Sequence, residues 1–110
     1  MTVLKLKISD NNLDQLVNYL IHEREFDYEN HSVDMSILIS DNLRLVDMTS
    51  HLNMVILKKE ASSIHIDIIS GGGDDSLLDF NGSVDKGYTR WTAKAIYEYA
   101  ELYELQVEPV

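Results

Sequence analysis

The chain contains no cysteine. Structural disulfides, thiolate metal sites and cysteine nucleophiles are therefore excluded, and the absence fits a reducing compartment. Proline occurs once, at Pro109, and there is no linker, repeat or low-complexity segment to divide the chain. Basic residues are scarce: nine Lys and Arg stand against nineteen Asp and Glu, for a formal net charge of −10. That imbalance repels an extended phosphate backbone at long range, so direct nucleic-acid binding would need a local basic patch. Lys58-Lys59 is the only adjacent basic pair, and no direct nucleic-acid partner is expected. A long apolar run is missing too. The opening stretch Val3–Ile8 is short and interrupted by Lys5 and Lys7, unlike a signal peptide or a spanning helix. The expectation is a cytoplasmic protein with no membrane partner.

What is present suits one globule. The 110 residues lie near the commonest domain size, and 45% are hydrophobic, enough for a single core over 1–110 without staples. Val3–Ile8 alternates, with Leu4, Leu6 and Ile8 on one side and lysines on the other, as in a half-buried strand. Ser9-Asp10-Asn11-Asn12 offers helix caps ahead of Leu13, Leu16, Val17, Leu20 and Ile21, whose spacing makes one apolar stripe. Glu25–Ser32 reads as a loop or the approach to a strand.

Four apolar segments follow. Val33–Ser40 alternates, with Met35, Ile37 and Ile39 apart from Ser36, Leu38 and Ser40, and Asp41-Asn42 suggests a turn. Leu43–Met48 and Leu52–Lys59 are further strand candidates, the latter apolar enough to be central; near-helical spacing within 43–57 leaves a helix as the alternative there. Ser63–Ser70 places Ile64, Ile66 and Ile68 on one face and His65, Asp67 and Ile69 on the other. Gly71-Gly72-Gly73 reads as a sharp end to this meander, with a short strand at 77–80 beyond it. From Tyr88 to about Glu104 a helical stripe runs through Tyr88, Trp91, Thr92, Ala95, Ile96, Tyr99, Leu102 and Tyr103. The class is α+β: an antiparallel sheet of four to six strands and two helices, in the order β-α-β-β-β-β-α, with both helices on one face.

Met48–Val55, Ile64–Ile69, the loop Ser70-Gly71-Gly72-Gly73 and the link from Phe80 to Gly87 together resemble a family of small bacterial proteins. Its members are of about this length, come mainly from Gram-positive genomes, and have no assigned activity. The resemblance covers the C-terminal two thirds and implies an α+β domain without carrying any catalytic residue. Where that family has a Trp beside a Gly, this chain has Asn81-Gly82 after Phe80.

The candidate contact residues for a ligand or partner are Gly71, Gly72, Gly73, Asp74, Asp75, His65 and Asp67. Glycines after a strand can wrap an anion with backbone N–H groups, but Asp74-Asp75 opposes phosphate and no Lys-Ser/Thr pair follows. A tight reversal needing φ > 0 is the plainer explanation of them. The aspartates from Asp74 to Asp85 lack the EF-hand register. His65 and Asp67 share a strand face and could orient a general base, or simply be solvated. His22, His31 and His51 have no metal-ligand spacing. No catalytic residue, metal or cofactor is expected, and reactive groups look dispersed.

Three functions compete. The first is a non-enzymatic binding module that self-associates as a homo-oligomer through a sheet face or edge, using Leu38, Ile69 and the run Met54–Leu57. The second is a small acidic inhibitor, of the immunity or phage counter-defence kind, docking on a basic protein partner. The third is a small-ligand binder using the Gly71–Asp75 loop.

Overall fold

A computed structural model describes residues 1–44, 49–72 and 83–110 of the chain. The elements are β1 (Thr2–Ile8), α1 (Leu13–Glu23), β2 (Tyr28–His31), β3 (Met35–Arg44), β4 (Thr49–Lys59), β5 (Ile64–Gly72), α2 (Ser83–Leu102) and β6 (Val107–Pro109). Among the described residues the six strands form one antiparallel sheet in the order β2-β3-β4-β5-β1-β6. The α+β class and the order β-α-β-β-β-β-α hold, with β6 added at the end. No helix among the described residues is long and apolar enough to cross a membrane.

Alternation decides which side of the sheet is covered. Leu6 and Ile8, Ile64, Ile66 and Ile68, Val55 and Leu57, and Leu38 are all buried. The pairings Leu6↔Ile66, Ile66↔Leu57 and Leu38↔Val55 put them on one face. Onto this face pack Leu13, Leu16, Val17 and Leu20 of α1, and Ala93, Ala95, Ile96, Tyr99 and Ala100 of α2. Both helices therefore cover the same side. Each fully buried Leu or Ile contributes about 1.5–3 kcal/mol, so this layer supplies most of the folding free energy.

Local chemistry fixes the helix ends. The Asn12 Oδ1 accepts from the Gln15 amide at 3.2 Å, and Asp10 Oδ1 accepts from the Asn11 and Asn12 amides at 2.8 and 3.1 Å. Those bonds satisfy donors that an uncapped helix start leaves open. At the end of α2, Leu105 N–H reaches Ala100 O at 2.7 Å and Glu104 N–H reaches Glu101 O at 3.3 Å. This double closure needs a left-handed residue, and Glu104 takes it with φ 56°.

Several local expectations are corrected. Asp41-Asn42 is not a turn: β3 runs through it, pairing Asp41 with Leu52 and Asn42 with His51. Ten consecutive cross-strand pairs outweigh a two-residue turn preference. Leu43 and Arg44 belong to β3, and positions 45–48 lie outside the described residues. Glu25–Ser32, by its sequence a loop or the approach to a strand, contains β2 itself, whose four residues are all exposed and carry no apolar alternation. Leu38 belongs to the core and not to the opposite face, taking Ser36 and Ser40 with it, while Val33 is exposed. Trp91, Leu102 and Tyr103 are also exposed. Ala93 and Ala100 fill the stripe instead, because short side chains let α2 approach closely. The strand expected at 77–80 lies outside the described residues.

Candidate functional site

The face of the sheet that the helices leave uncovered is not the polar surface that alternation alone would supply. Four rows cross it. The pairings Val3↔Ile69, Ile69↔Met54, Met54↔Ile39 and Ile39↔Tyr28 line up five apolar or aromatic side chains across five strands. The next row reads Lys5, Asp67, Ile56, Ile37 and Asn30, and the one beyond it Glu108, Lys7, His65, Lys58 and Met35. On the other side lie Gly71, Leu52 and Asp41. Cross-strand neighbours of this kind stand about 5 Å apart, so the apolar groups form one continuous strip. Val3, Leu52 and Tyr28 are 44%, 50% and 51% exposed, well above what a core neighbour would show.

The charge of this face differs from that of the whole chain. Lys5, Lys7 and Lys58 face Asp41, Asp67 and Glu108, three cations against three carboxylates among the described residues. Among the described residues this face therefore carries no surplus of either sign, although the chain as a whole has a net charge of −10.

Three of the residues singled out in the sequence meet on this face. His65 lies between Lys7 and Lys58, and Asp67 between Lys5 and Ile56. The Asp67 carboxylate is 3.8 Å from Lys5 Nζ, and no hydrogen bond joins it to His65. The pair is not assembled as a base with its orienting carboxylate. Gly71 and Gly72 do not end the meander; they extend β5, paired with Leu52 and His51. A Cβ on Gly71 would only touch Met1 Cγ at 3.8 Å, an ordinary contact. Gly73, Asp74 and Asp75 lie outside the described residues. No group of three His, Asp or Glu side chains able to hold a metal occurs among the described residues.

A second feature lies on the covered face and was not visible in the sequence. Ser40, Asn53 and Ser70 form one row across β3, β4 and β5, all buried, with His51 one step further along β4. Thr89 and Thr92 of α2 are buried too. The Ser70 hydroxyl donates to Asn53 Oδ1 at 2.6 Å. The Tyr88 hydroxyl faces those of Ser40 and Thr92; burial pushes its pKa up, with the two hydroxyls partly offsetting that. Even so, Tyr88 Oη, Thr92 Oγ1, Asn53 Nδ2 and Arg24 Nε are buried with no hydrogen-bond partner of good geometry. Each such group costs about 1–3 kcal/mol. A polar group is thus gathered at one end of the core, against the expectation of dispersal. Its faint signal was the repeat Ser36-Ile37-Leu38-Ile39-Ser40, in which serines share a side with Leu38.

Beside this row is a half-open cavity of ≈ 310 Å³ lined by Glu23, Arg24, Glu25, Ser40, Tyr88 and Trp91. The Arg24 guanidinium lies 4.0 Å from the Trp91 ring centroid. It donates to the carbonyls of Trp91 and Glu23 at 2.7 and 2.8 Å, so α1 is clasped to α2. Tyr88 meets Trp91 edge-on, centroids 6.4 Å apart. A wider depression of ≈ 620 Å³ beside Tyr19 and Tyr103 is open to solvent and lined by amide side chains. Comparisons with protein-family models, with curated proteins and with solved structures each return no match.

Proposed function

We propose that the protein is a non-enzymatic interaction module that associates with a second copy of itself through the uncovered sheet face. The observation that carries this reading is the apolar strip Val3, Ile69, Met54, Ile39 and Tyr28, continued by Ile56 and Ile37. Val3 and Tyr28 at its ends are exposed and Ile69, Met54 and Ile39 between them are half-buried, and soluble monomers seldom leave an apolar strip of this extent uncovered. A chain of charge −10 repels its own copies unless the contacting surface is neutral, and this face carries three charges of each sign. Two such faces can meet without uncompensated charge, their rows interleaving as in an aligned sandwich. His65 then lies in the outer row of the interface, and Asp67 inside it between Lys5 and Ile56. The test is the mass in solution by light scattering over a wide concentration range. A dimer that does not dissociate on adding salt supports an apolar contact; a strict monomer refutes it.

A second reading places the protein, of bacterial or phage origin and cytoplasmic, as an acidic partner of a basic protein. What favours it is the net charge of −10. That association would weaken steeply with ionic strength, the opposite of the apolar dimer.

A further inference from the structure

An open sheet edge presents backbone groups to any strand that can pair with them. Among the described residues the sheet ends in β2 and β6, and the two edges differ. At β6 the Val110 N–H bonds to Lys5 O at 3.0 Å and the Ser9 N–H to Gln106 O at 2.9 Å. Backbone groups alternate along an antiparallel ladder, so Glu108 faces β1 while Val107 and Pro109 face outward. Pro109 has no N–H to give, and this edge is blunted. At β2 the Ser32 N–H bonds to Met35 O at 2.8 Å. By the same alternation Asn30 and Tyr28 face β3, while Glu29 and His31 turn their N–H and C=O groups outward. The Asp27 N–H also bonds to Ile39 O, a two-against-one bulge that closes the strand at Tyr28. All four residues of β2 are exposed, and the helices pack over β1, β4 and β5, away from this edge. The strand is held ready by its own side chains: His31 Nδ1 lies 2.9 Å from Ser36 Oγ, and His31 Nε2 lies 2.9 Å from Glu29 Oε1.

We propose that the outer edge of β2 is a second self-association surface, on which the β2 strands of two copies pair antiparallel about a two-fold axis at Asn30. Outward groups must meet outward groups, which leaves three registers. Glu29 opposite Glu29 sets like carboxylates across from each other, a destabilising pair. His31 opposite His31 centres the contact on the last residue of β2 and leaves Glu29 with no strand residue facing it. Glu29 opposite His31 places each carboxylate across from an imidazole and brings the two Asn30 amides together at the axis. In this register both residues exchange their backbone hydrogen bonds with the second copy. Opposed side chains of an antiparallel pair share a face, so the helices of both copies lie on one side and their uncovered faces on the other. The edge contact does not rest on the sheet-face contact, and the two can form separately.

Exchange of individual amides with solvent, read by NMR on the full chain from dilute to millimolar concentration, tests this. Glu29→Pro and Glu29→Lys are carried in parallel, with circular dichroism confirming each fold. Glu29→Pro removes an N–H that faces away from β3, and Glu29→Lys keeps that N–H but sets a cation across from His31. In wild type the Glu29 and His31 amides should slow by about threefold or more as concentration rises. The Asn30 amide, bonded to β3 in either state, should not change. In both variants the His31 amide should exchange equally fast at every concentration. Ile56→Lys, which strikes the sheet face, should leave the slowing in place, so failure of either contact is read separately. The inference is overturned if the Glu29 and His31 amides ignore concentration, or if Ile56→Lys abolishes their slowing. It also falls if His31 still slows in Glu29→Lys and in folded Glu29→Pro, since another surface would then be responsible.

Discussion

Replacing Ile56 with Lys tests the sheet-face contact without disturbing the core. Ile56 lies on the uncovered face, outside the buried cluster, and pairs directly with Asp67. A lysine there gains a cross-strand carboxylate, so the monomer should keep its fold to within about 0.5–1 kcal/mol. The effect on association is worked from the sheet dimensions. Five strands about 4.8 Å apart and seven residues rising about 3.3 Å each give roughly 24 by 23 Å, or about 550 Å² per copy. Two copies would hide about 1,100 Å², at the lower end of specific interfaces. If about 60% of that is apolar, burial contributes about 16 kcal/mol before the costs of association. A mid-range cost of about 9 kcal/mol leaves about 7, which corresponds to a Kd near 10 μM.

Ile56→Lys removes about 2 kcal/mol of burial per copy and places a charge in an apolar contact, and a symmetric dimer feels both twice. The loss is then at least about 4 kcal/mol, roughly a thousandfold in Kd. Sedimentation equilibrium at several loading concentrations measures it, with circular dichroism and thermal melting confirming the fold. Wild-type and variant chains that associate equally, with equal melting temperatures, would refute the reasoning.

Other substitutions probe the framework. Glu104→Gly relieves a side chain held at φ 56° and should stabilise the protein by about 1 kcal/mol, read as a rise of roughly 4–8 °C in Tm. Ile66→Ala, at the fully buried crossing of Leu6 and Leu57, should cost about 2–5 kcal/mol in denaturant unfolding. The Tyr99 hydroxyl donates to Asp10 Oδ2 at 2.8 Å, and burial, then the Asp10 carboxylate, pushes its pKa well above the ordinary 10.0. The folded state thus holds this proton more tightly than the unfolded chain does. Its contribution is complete below about pH 10 and is lost as pH rises above that. Wild type should therefore lose stability more steeply than Tyr99→Phe in alkaline melts, while Tyr99→Phe is less stable near neutrality by about 1–2 kcal/mol.

Much of the framework can be read from residue spacing because it is locally determined. The period of two in Ile64, Ile66 and Ile68 puts all three in the core, and the period near 3.6 in Leu13, Leu16, Val17 and Leu20 does the same for α1. What escapes is what long-range pairing decides. β2 is a strand only because β3 lies beside it, since Tyr28-Glu29-Asn30-His31 has no strand pattern of its own. β6 is three residues held by β1. Asp41-Asn42 would turn in isolation, and is kept extended by β4. The Gly71–Asp75 candidate, weighed as an anion loop, came from a triple glycine whose first two residues simply prolong a ladder.

Sidedness is the harder problem, and the proposed sheet-face contact grows from it. Alternation says that β3 has two faces, but a slip of one residue exchanges them. By composition the face with Met35, Ile37 and Ile39 should be covered and the one with Ser36, Leu38 and Ser40 wet. The register does the reverse: Leu38 opposes Val55 in the core, and Ser36 and Ser40 are buried with it. The strand thereby leaves apolar groups facing water on one side and hydroxyls facing the core on the other. Stability alone favours neither. Exchanging the two sets, isoleucines inward and serines outward, would suit both layers better. It would also erase the apolar strip that a second copy would cover, and the hydroxyl of Ser40 at the Tyr88–Trp91 cavity. The same strand thus sets the composition of both faces while holding them on opposite sides of the sheet, which is why a lesion on each side, Ile56→Lys and Thr92→Val, should act separately on stability and add.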